Sequence, residues 1–131
     1  MVRQGSGSIV TLSVSLAGTP IAWMTALTAT CAAIEGFTRS LARELGPAGV
    51  RVNCVRGDAM PETTTIQQTL AGSAALAGVD PATFAASLPV PTIGRPTTVA
   101  DTAALVAFLL SDAAVRISTQ VLNASSNAQL G

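Results

Sequence analysis

The chain contains very few side chains that could transfer a proton. Its 131 residues include no histidine, no lysine and no tyrosine, so three of the usual general acids and bases are missing. The ionisable side chains that are present are seven arginines, seven acids and the two cysteines, Cys31 and Cys54. Any proton transfer by this chain would therefore depend on a thiol or a carboxyl group.

Neither candidate group is in a sequence context that favours catalysis. A thiol needs a neighbouring cation or a helix N-terminus to become a useful base or nucleophile. Cys31 instead falls inside a predicted helix, in an apolar stripe with Leu27 and Ile34, so we expect ordinary buried packing. Asp58 and Glu62 could form a carboxylate pair. Without histidine or a clear third ligand we interpret them as solvated loop residues and predict no metal site.

The elements that would position these residues alternate between strands and helices. β-Branched apolar runs predict strands, and apolar residues at helical spacing predict helices. Such alternation indicates a parallel sheet with right-handed crossovers, hence an α/β fold. The predicted elements are a strand at 8–14, a helix at 22–45, a strand at 49–56, a helix at 99–110 and a strand at 120–124.

The segment 57–94 is rich in proline and glycine, which predicts a loop region with short helices that covers a cleft. Asp80 followed by proline favours the start of one such helix, over residues 83–88. Beyond this segment, Thr98 and Asp101 have the spacing of a capping box for the helix at 99–110.

Two long stretches carry a family resemblance. CAAIEGFTRSLARELGPAGVRVNCVR (31–56) resembles the long helix and next strand of the short-chain dehydrogenases/reductases, and GRPTTVADTAALVAFLLSDAAVRISTQVLN (94–123) resembles the family's last helix and strand. The resemblance implies a partial Rossmann-type sheet, made of the family's last three strands with flanking helices, in one partial domain over 1–131. The glycine-rich phosphate turn has no counterpart. We therefore expect no cofactor for the isolated chain, and NAD(P) if an N-terminal half completes the fold.

The resemblance also locates the positions where the family carries out its chemistry. The family polarises the substrate carbonyl with a serine and passes a proton through a tyrosine, whose pKa is lowered by a lysine four residues later. An alignment without gaps on AAIEGFTRSLA places Val14, Leu27 and Cys31 at those three positions. A slip of one residue would bring Ser13 or Ser15 to the serine position. It would restore neither the tyrosine nor the lysine.

A second family segment faces the nicotinamide, and here it contains weak cofactor-binding candidates at Gly57, Asp58, Met60 and Thr63. Where the family has a Pro-Gly pair, this chain has Gly57 and Asp58. Thr63, one place beyond the expected threonine, could reach a carboxamide. We favour the alternative that it is a polar loop residue without a ligand.

Composition narrows the classes of function and partner that remain possible. Zero formal charge leaves no basic surface for nucleic acid, and no stretch has the uninterrupted apolar length of a membrane span. Two cysteines without a secretory signal favour the cytoplasm. Low charge with much apolar surface favours a homo-oligomer or a partner chain.

We expect a truncated, degenerate dehydrogenase-like binding or assembly subunit. The alternative is an oxidoreductase that works only with an N-terminal half supplied in trans or by an upstream coding region.

Overall fold

A computed structural model describes residues 1–125, and its centre is a sheet of three parallel strands. The strands are ordered β1-β2-β3, and both pairings are parallel. The predicted α/β class, with helices flanking a parallel sheet, is confirmed. The elements in chain order are β1 (Gly7–Val14), α1 (Thr25–Leu45), β2 (Val50–Gly57), α2 (Thr64–Ala77), α3 (Pro81–Ala86), α4 (Val99–Leu110) and β3 (Val121–Asn123).

The middle strand β2 carries the core. Its alternating β-branched sequence buries six of eight residues. Neighbouring residues of a strand point to opposite faces of the sheet, so Val55 packs against Leu109 of α4 while Arg56 meets Glu35 of α1. Helices α1 and α4 therefore cover opposite faces.

The outer strand β1 is less well covered. It pairs with β2 along its whole length, from Gly7 opposite Val50 to Val14 opposite Gly57. Within residues 1–125 no strand pairs with its other edge, and Leu12 is 57% exposed. One edge of the described sheet is thus unpaired, and one apolar side chain of its outer strand is exposed.

Helix α1 begins three residues later than the sequence predicts. Trp23 has a φ of 68°, a left-handed conformation that a bulky residue adopts only under constraint from its surroundings and that a right-handed helix cannot include. The other end lies at Leu45, as predicted. Gly49, with a φ of 75°, then turns the chain into β2, and a Cβ atom there would lie 2.1 Å from the Gly5 carbonyl oxygen. Only glycine fits this turn.

The region 57–94 is more helical than expected. Helix α2 extends over fourteen residues, from Thr64 to Ala77, where the sequence indicates only a loop with short helices. Its run of Ala, Thr, Gly and Gln shows no clear apolar stripe, which explains the missed length. Asp80 caps α3 through the amide groups of Ala82 and Thr83, although α3 starts two residues before the predicted 83–88.

The last two elements agree with their sequence signals. Helix α4 has the predicted bounds, and its capping box is present: the Thr98 hydroxyl accepts from the Asp101 amide at 3.2 Å, and the Asp101 carboxylate accepts from the Thr98 amide at 3.0 Å. β3 lies inside the predicted 120–124. In this described part of the chain, no helix has the length and apolar character needed to cross a bilayer.

Candidate functional site

A cavity of about 320 Å³ opens at the carboxyl ends of β1 and β2, where ligands of open α/β sheets bind. Helices α2 and α3 and the start of α1 form its walls. Fourteen of the nineteen described lining residues are apolar. A cluster of four buried residues supports the walls: Leu16, Met24, Ala74 and Phe84.

The three positions to which the alignment without gaps assigns the family's serine, tyrosine and lysine lie at or beneath this cavity. Val14 ends β1, and Leu27 lies in the first turn of α1; both side chains line the cavity. Cys31 is one helical turn further on and only 2% exposed. At two of these positions the structure thus presents hydrocarbon to the cavity, and the third is covered.

The serines on either side of Val14 have different surroundings. Ser13 is buried against α1, with its Oγ 3.2 Å from the Cys31 carbonyl oxygen and 3.3 Å from Glu35 Oε1. Ser15 lines the cavity and donates to Asp58 Oδ1 at 3.1 Å. Of the two, Ser15 is the serine that provides the cavity with a hydroxyl group.

One of the four candidates for nicotinamide binding lines the cavity, and the other three do not. Asp58 lines the cavity and also accepts from the Ala59 amide at 2.9 Å. Gly57 is buried at the end of β2, and the Met60 sulfur lies 3.8 Å from Thr102 Oγ1. Thr63 caps α2: its hydroxyl donates to the Met60 carbonyl oxygen and accepts from the Ile66 amide. Its observed role is structural.

The carboxylates of the predicted loop do not form a pair. Asp58 bonds to Ser15 and to its neighbouring amide, whereas Glu62 accepts from the Val99 amide at 2.7 Å, at the start of α4. Across residues 1–125 no cluster of three or more potential metal ligands is present. Asp58 and Glu62 therefore form hydrogen bonds with different parts of the fold.

A buried ion pair joins the middle of α1 to β2, and the sequence pattern did not predict it. Glu35 is 3% exposed and binds the Arg56 guanidinium through two contacts, 2.5 Å to Nε and 2.7 Å to Nη2. These hydrogen bonds hold the pKa of Glu35 below its ordinary value, and the Arg56 charge and the Ser13 hydroxyl act in the same direction. The sequence does indicate the burial of Glu35, because this residue lies in the buried stripe of α1, four residues after Cys31 and three before Thr38.

The thiols offer little reactivity. Both cysteines are buried, and burial raises the pKa of the Cys54 thiol. A thiolate, the form that acts as a nucleophile, is disfavoured there. The chemically useful polar groups at the cavity are therefore hydroxyls and the Asp58 carboxyl group.

The described lining lacks the groups that usually hold the diphosphate of a dinucleotide. A diphosphate needs cations or a glycine-rich turn at a helix N-terminus. Neither an arginine nor a glycine is among the described lining residues. What the cavity can do is hold an apolar molecule.

Comparison with known proteins points to one family. Residues 1–126 match the family model described as Enoyl-(Acyl carrier protein) reductase. A short-chain type dehydrogenase/reductase of Picea abies is 38% identical over 125 residues, which cover 93% of this chain and 41% of that protein.

Solved structures agree with this match. Levodione reductase superimposes with a TM-score of 0.82 at 28% identity, covering 96% of this chain and 48% of its own. A 3-ketoacyl-(acyl-carrier-protein) reductase from Brucella melitensis, complexed with NADH, gives a TM-score of 0.74 at 26% identity, with 93% and 46% covered. The chain spans less than half the length of each of these three proteins. It belongs to the short-chain dehydrogenase/reductase family.

Proposed function

We propose that this chain has no independent dehydrogenase activity and acts as a binding or assembly subunit. The observation that carries this proposal is Leu27, which lines the cavity at the position that the resemblance assigns to the proton-passing tyrosine. A hydrocarbon side chain cannot donate or accept a proton. Reduction of a carbonyl needs a proton together with the hydride, so the reaction has no acid at this position.

The other groups at the cavity do not replace that acid. Cys31, at the lysine position, is 2% exposed and carries no permanent positive charge. Asp58 is acidic, but its Oδ1 already accepts from the Ser15 hydroxyl and the Ala59 amide. The diphosphate cradle is also lacking in the described residues. These features support a role in binding rather than in hydride transfer.

Exposed apolar side chains support association with another chain. Phe37 on α1 is 57% exposed, and Phe108 and Leu110 on α4 are 41% and 50% exposed. The family resemblance implies that subunits pair through the long helix and the last helix with its strand. We expect a homo-oligomer or a complex with a partner chain, located in the cytoplasm.

A titration with NADH and NADPH, run with a mass measurement of the purified chain, tests this proposal. We expect no change in melting temperature or fluorescence at cofactor concentrations that saturate a full-length reductase of the family. We also expect a mass above that of the monomer. Turnover of a carbonyl or alcohol substrate by this chain alone, at a rate comparable with that control enzyme, would overturn the proposal.

One observation favours a second function, an oxidoreductase completed by an N-terminal half. The edge of β1 and the exposed side chain of Leu12 would be covered by a neighbouring strand and helix. The coding DNA upstream of Met1 can be read in frame for a glycine-rich βαβ unit. If one is found, the two parts made together should bind NADPH, and Leu12→Lys should weaken that binding while the exposed control Leu76→Lys does not.

A further inference from the structure

We infer that the free edge of β1 binds the same edge of a second copy of this chain. The two strands run antiparallel about a two-fold axis, so that two three-stranded sheets join into one continuous sheet. This inference rests on the proposed assembly role and names the partner and the surface. The surface differs from those that the family resemblance implies, which are the long helix and the last helix with its strand.

The backbone of β1 directs unused hydrogen-bonding groups outward. In a parallel pair, one residue of each Cα pair bonds to the neighbours of the other. The Cys54 amide donates toward β3, to the Gln120 carbonyl oxygen at 2.8 Å, so its Cα partner Thr11 bonds toward β2. Val10 and Leu12 therefore direct their amide and carbonyl groups away from β2. Within residues 1–125 no backbone hydrogen bond joins these two residues to another element.

The sequence of β1 lacks the features that keep exposed strand edges apart. Such edges are usually blunted by charged side chains, above all lysine, by proline or by a bulge. The strand GSIVTLSV contains no charged residue and no proline, and it pairs with β2 without interruption from Gly7 to Val14. When this strand pairs with an identical one, no like charges meet along it.

The side chains favour one register of that pairing. Outward-directed residues of two antiparallel strands face each other in hydrogen-bonded pairs. With Thr11 on the two-fold axis, Leu12 lies opposite Val10 of the second copy, and Ser8 lies opposite Val14. A shift of two residues would place Leu12 opposite Ser8 instead. The match of apolar with apolar side chains therefore selects the axis at Thr11.

This register also continues a hydrophobic cluster across the axis. Val10 packs against the buried cluster of Val55, Leu109 and Ala114. Leu12 is the Cα partner of Val55 and lies on the same face of the sheet as Val10, yet it is 57% exposed. Contact between Leu12 and Val10 of the second copy joins the two clusters into one apolar layer. This continuity is the reason for assigning the edge to a second copy.

The first experiment measures the mass of the full chain by light scattering over a range of concentrations. We expect a dimer. Leu12→Lys should raise its dissociation constant at least about tenfold, because like charges at neighbouring cross-strand positions repel. Phe37→Lys is the matched control: Phe37 is also 57% exposed but lies on α1, and the change should alter the constant less than about threefold. Circular dichroism checks that both variants fold.

Cysteine cross-linking tests the register, and it does so even if Leu12→Lys fails to fold. The Cα atoms of a hydrogen-bonded antiparallel pair lie roughly 5.5 Å apart, a distance that a disulfide can span. After co-refolding and mild oxidation, a mixture of Leu12→Cys and Val10→Cys chains should form disulfide-linked dimers, whereas neither variant alone should do so. The wild type is the control, since both of its cysteines are buried.

Each outcome decides the inference. A monomer at every concentration, a dimer that Phe37→Lys separates and Leu12→Lys does not, or no cross-link in the mixture would overturn it. Replacement of the second copy by a co-expressed N-terminal half would also overturn it. The proposed function fails separately, through turnover with NADPH. An edge-paired dimer with turnover keeps this inference and removes the proposed function, and a dimer held through α1 without turnover does the reverse.

Discussion

Helix α1 serves different purposes in its middle and in its first turn. In its middle, Glu35 and Thr38 are buried against the sheet and hydrogen-bonded. Glu35 binds Arg56, and Thr38 Oγ1 lies 2.6 Å from Thr11 Oγ1 and 2.7 Å from the Ile34 carbonyl oxygen. At its N-terminus, Leu27 faces an apolar cavity. Polar contacts from the middle of the helix stabilise the fold, and its first turn forms part of the cavity wall.

This contrast separates buried polar pairs that stabilise the sheet from the apolar wall of a cavity. Buried polar groups on the sheet side are paired, which such groups require to be tolerated in a core. On the cavity side, Val14 and Leu27, to which the resemblance assigns the family's serine and tyrosine, have hydrocarbon side chains that line the cavity. Substitutions should therefore affect stability on the sheet side and ligand binding on the cavity side.

The largest effect should follow from breaking the buried ion pair. Glu35→Gln leaves the Arg56 guanidinium without its carboxylate, and loss of one partner of a buried pair costs about 3 kcal/mol. Urea unfolding followed by circular dichroism should show this loss. Glu44→Gln, which removes an exposed acid from the same helix, should change the free energy of unfolding by less than about 0.5 kcal/mol. Equal effects of the two substitutions would contradict the contrast.

The same pair predicts a pH dependence with a definite sign. Its hydrogen bonds with Arg56 lower the pKa of Glu35 from about 4.5. The resulting stabilisation is fully present above the unfolded-state pKa and is lost as pH falls through the lower folded-state value. The difference in free energy of unfolding between the wild type and Glu35→Gln should thus be constant from about pH 8 to 6 and shrink toward pH 3. A difference that grows on acidification would show that another group is responsible.

The helix bounds and caps that depend on local sequence pattern could be predicted. The capping box of Thr98 and Asp101 and the bounds of α4 depend on residues a few positions apart, and so does the end of α1 at Leu45. The pairing of Glu35 with Arg56 joins residues 21 positions apart on different elements. Periodicity shows that Glu35 lies in the stripe, but not that an arginine from β2 neutralises it there.

The site was predictable in location but not in content. Alignment on the family pattern singled out Val14 and Leu27 as the serine and tyrosine positions, and the structure brings both to the same cavity. The walls from α2 could not be predicted, because its weakly amphipathic sequence gave no sign of a fourteen-residue helix. Ser15 was recognised only as an alternative to Val14, because the choice depended on an alignment without gaps.

A smaller effect is expected from the hydroxyl pair beneath the helix. Thr38 is fully buried, and Thr38→Val keeps its shape while removing its two hydrogen bonds. The Thr11 hydroxyl retains a longer contact, 3.4 Å from the Asn53 carbonyl oxygen. A loss of about 1 kcal/mol in the free energy of unfolding is expected. Thr30→Val, at an exposed position of α1 with one hydrogen bond to the Ala26 carbonyl oxygen, is the matched control and should change stability by less than half as much.

The smallest effect should come from enlarging a side chain at the cavity. Leu27→Tyr directs a ring into open space, so we expect a change in the free energy of unfolding of less than about 1 kcal/mol. Ala42→Leu, on the packed face of the same helix and 4% exposed, should cost about 2 kcal/mol through overpacking.

The new hydroxyl of Leu27→Tyr should still give no turnover with NADPH and a carbonyl substrate, because Cys31 supplies no cation to lower the tyrosine pKa and the described residues provide no diphosphate cradle. If Leu27→Tyr alone produced reductase activity, the cavity would have to hold a nicotinamide, and the division of α1 between a structural middle and a cavity-lining first turn would no longer stand.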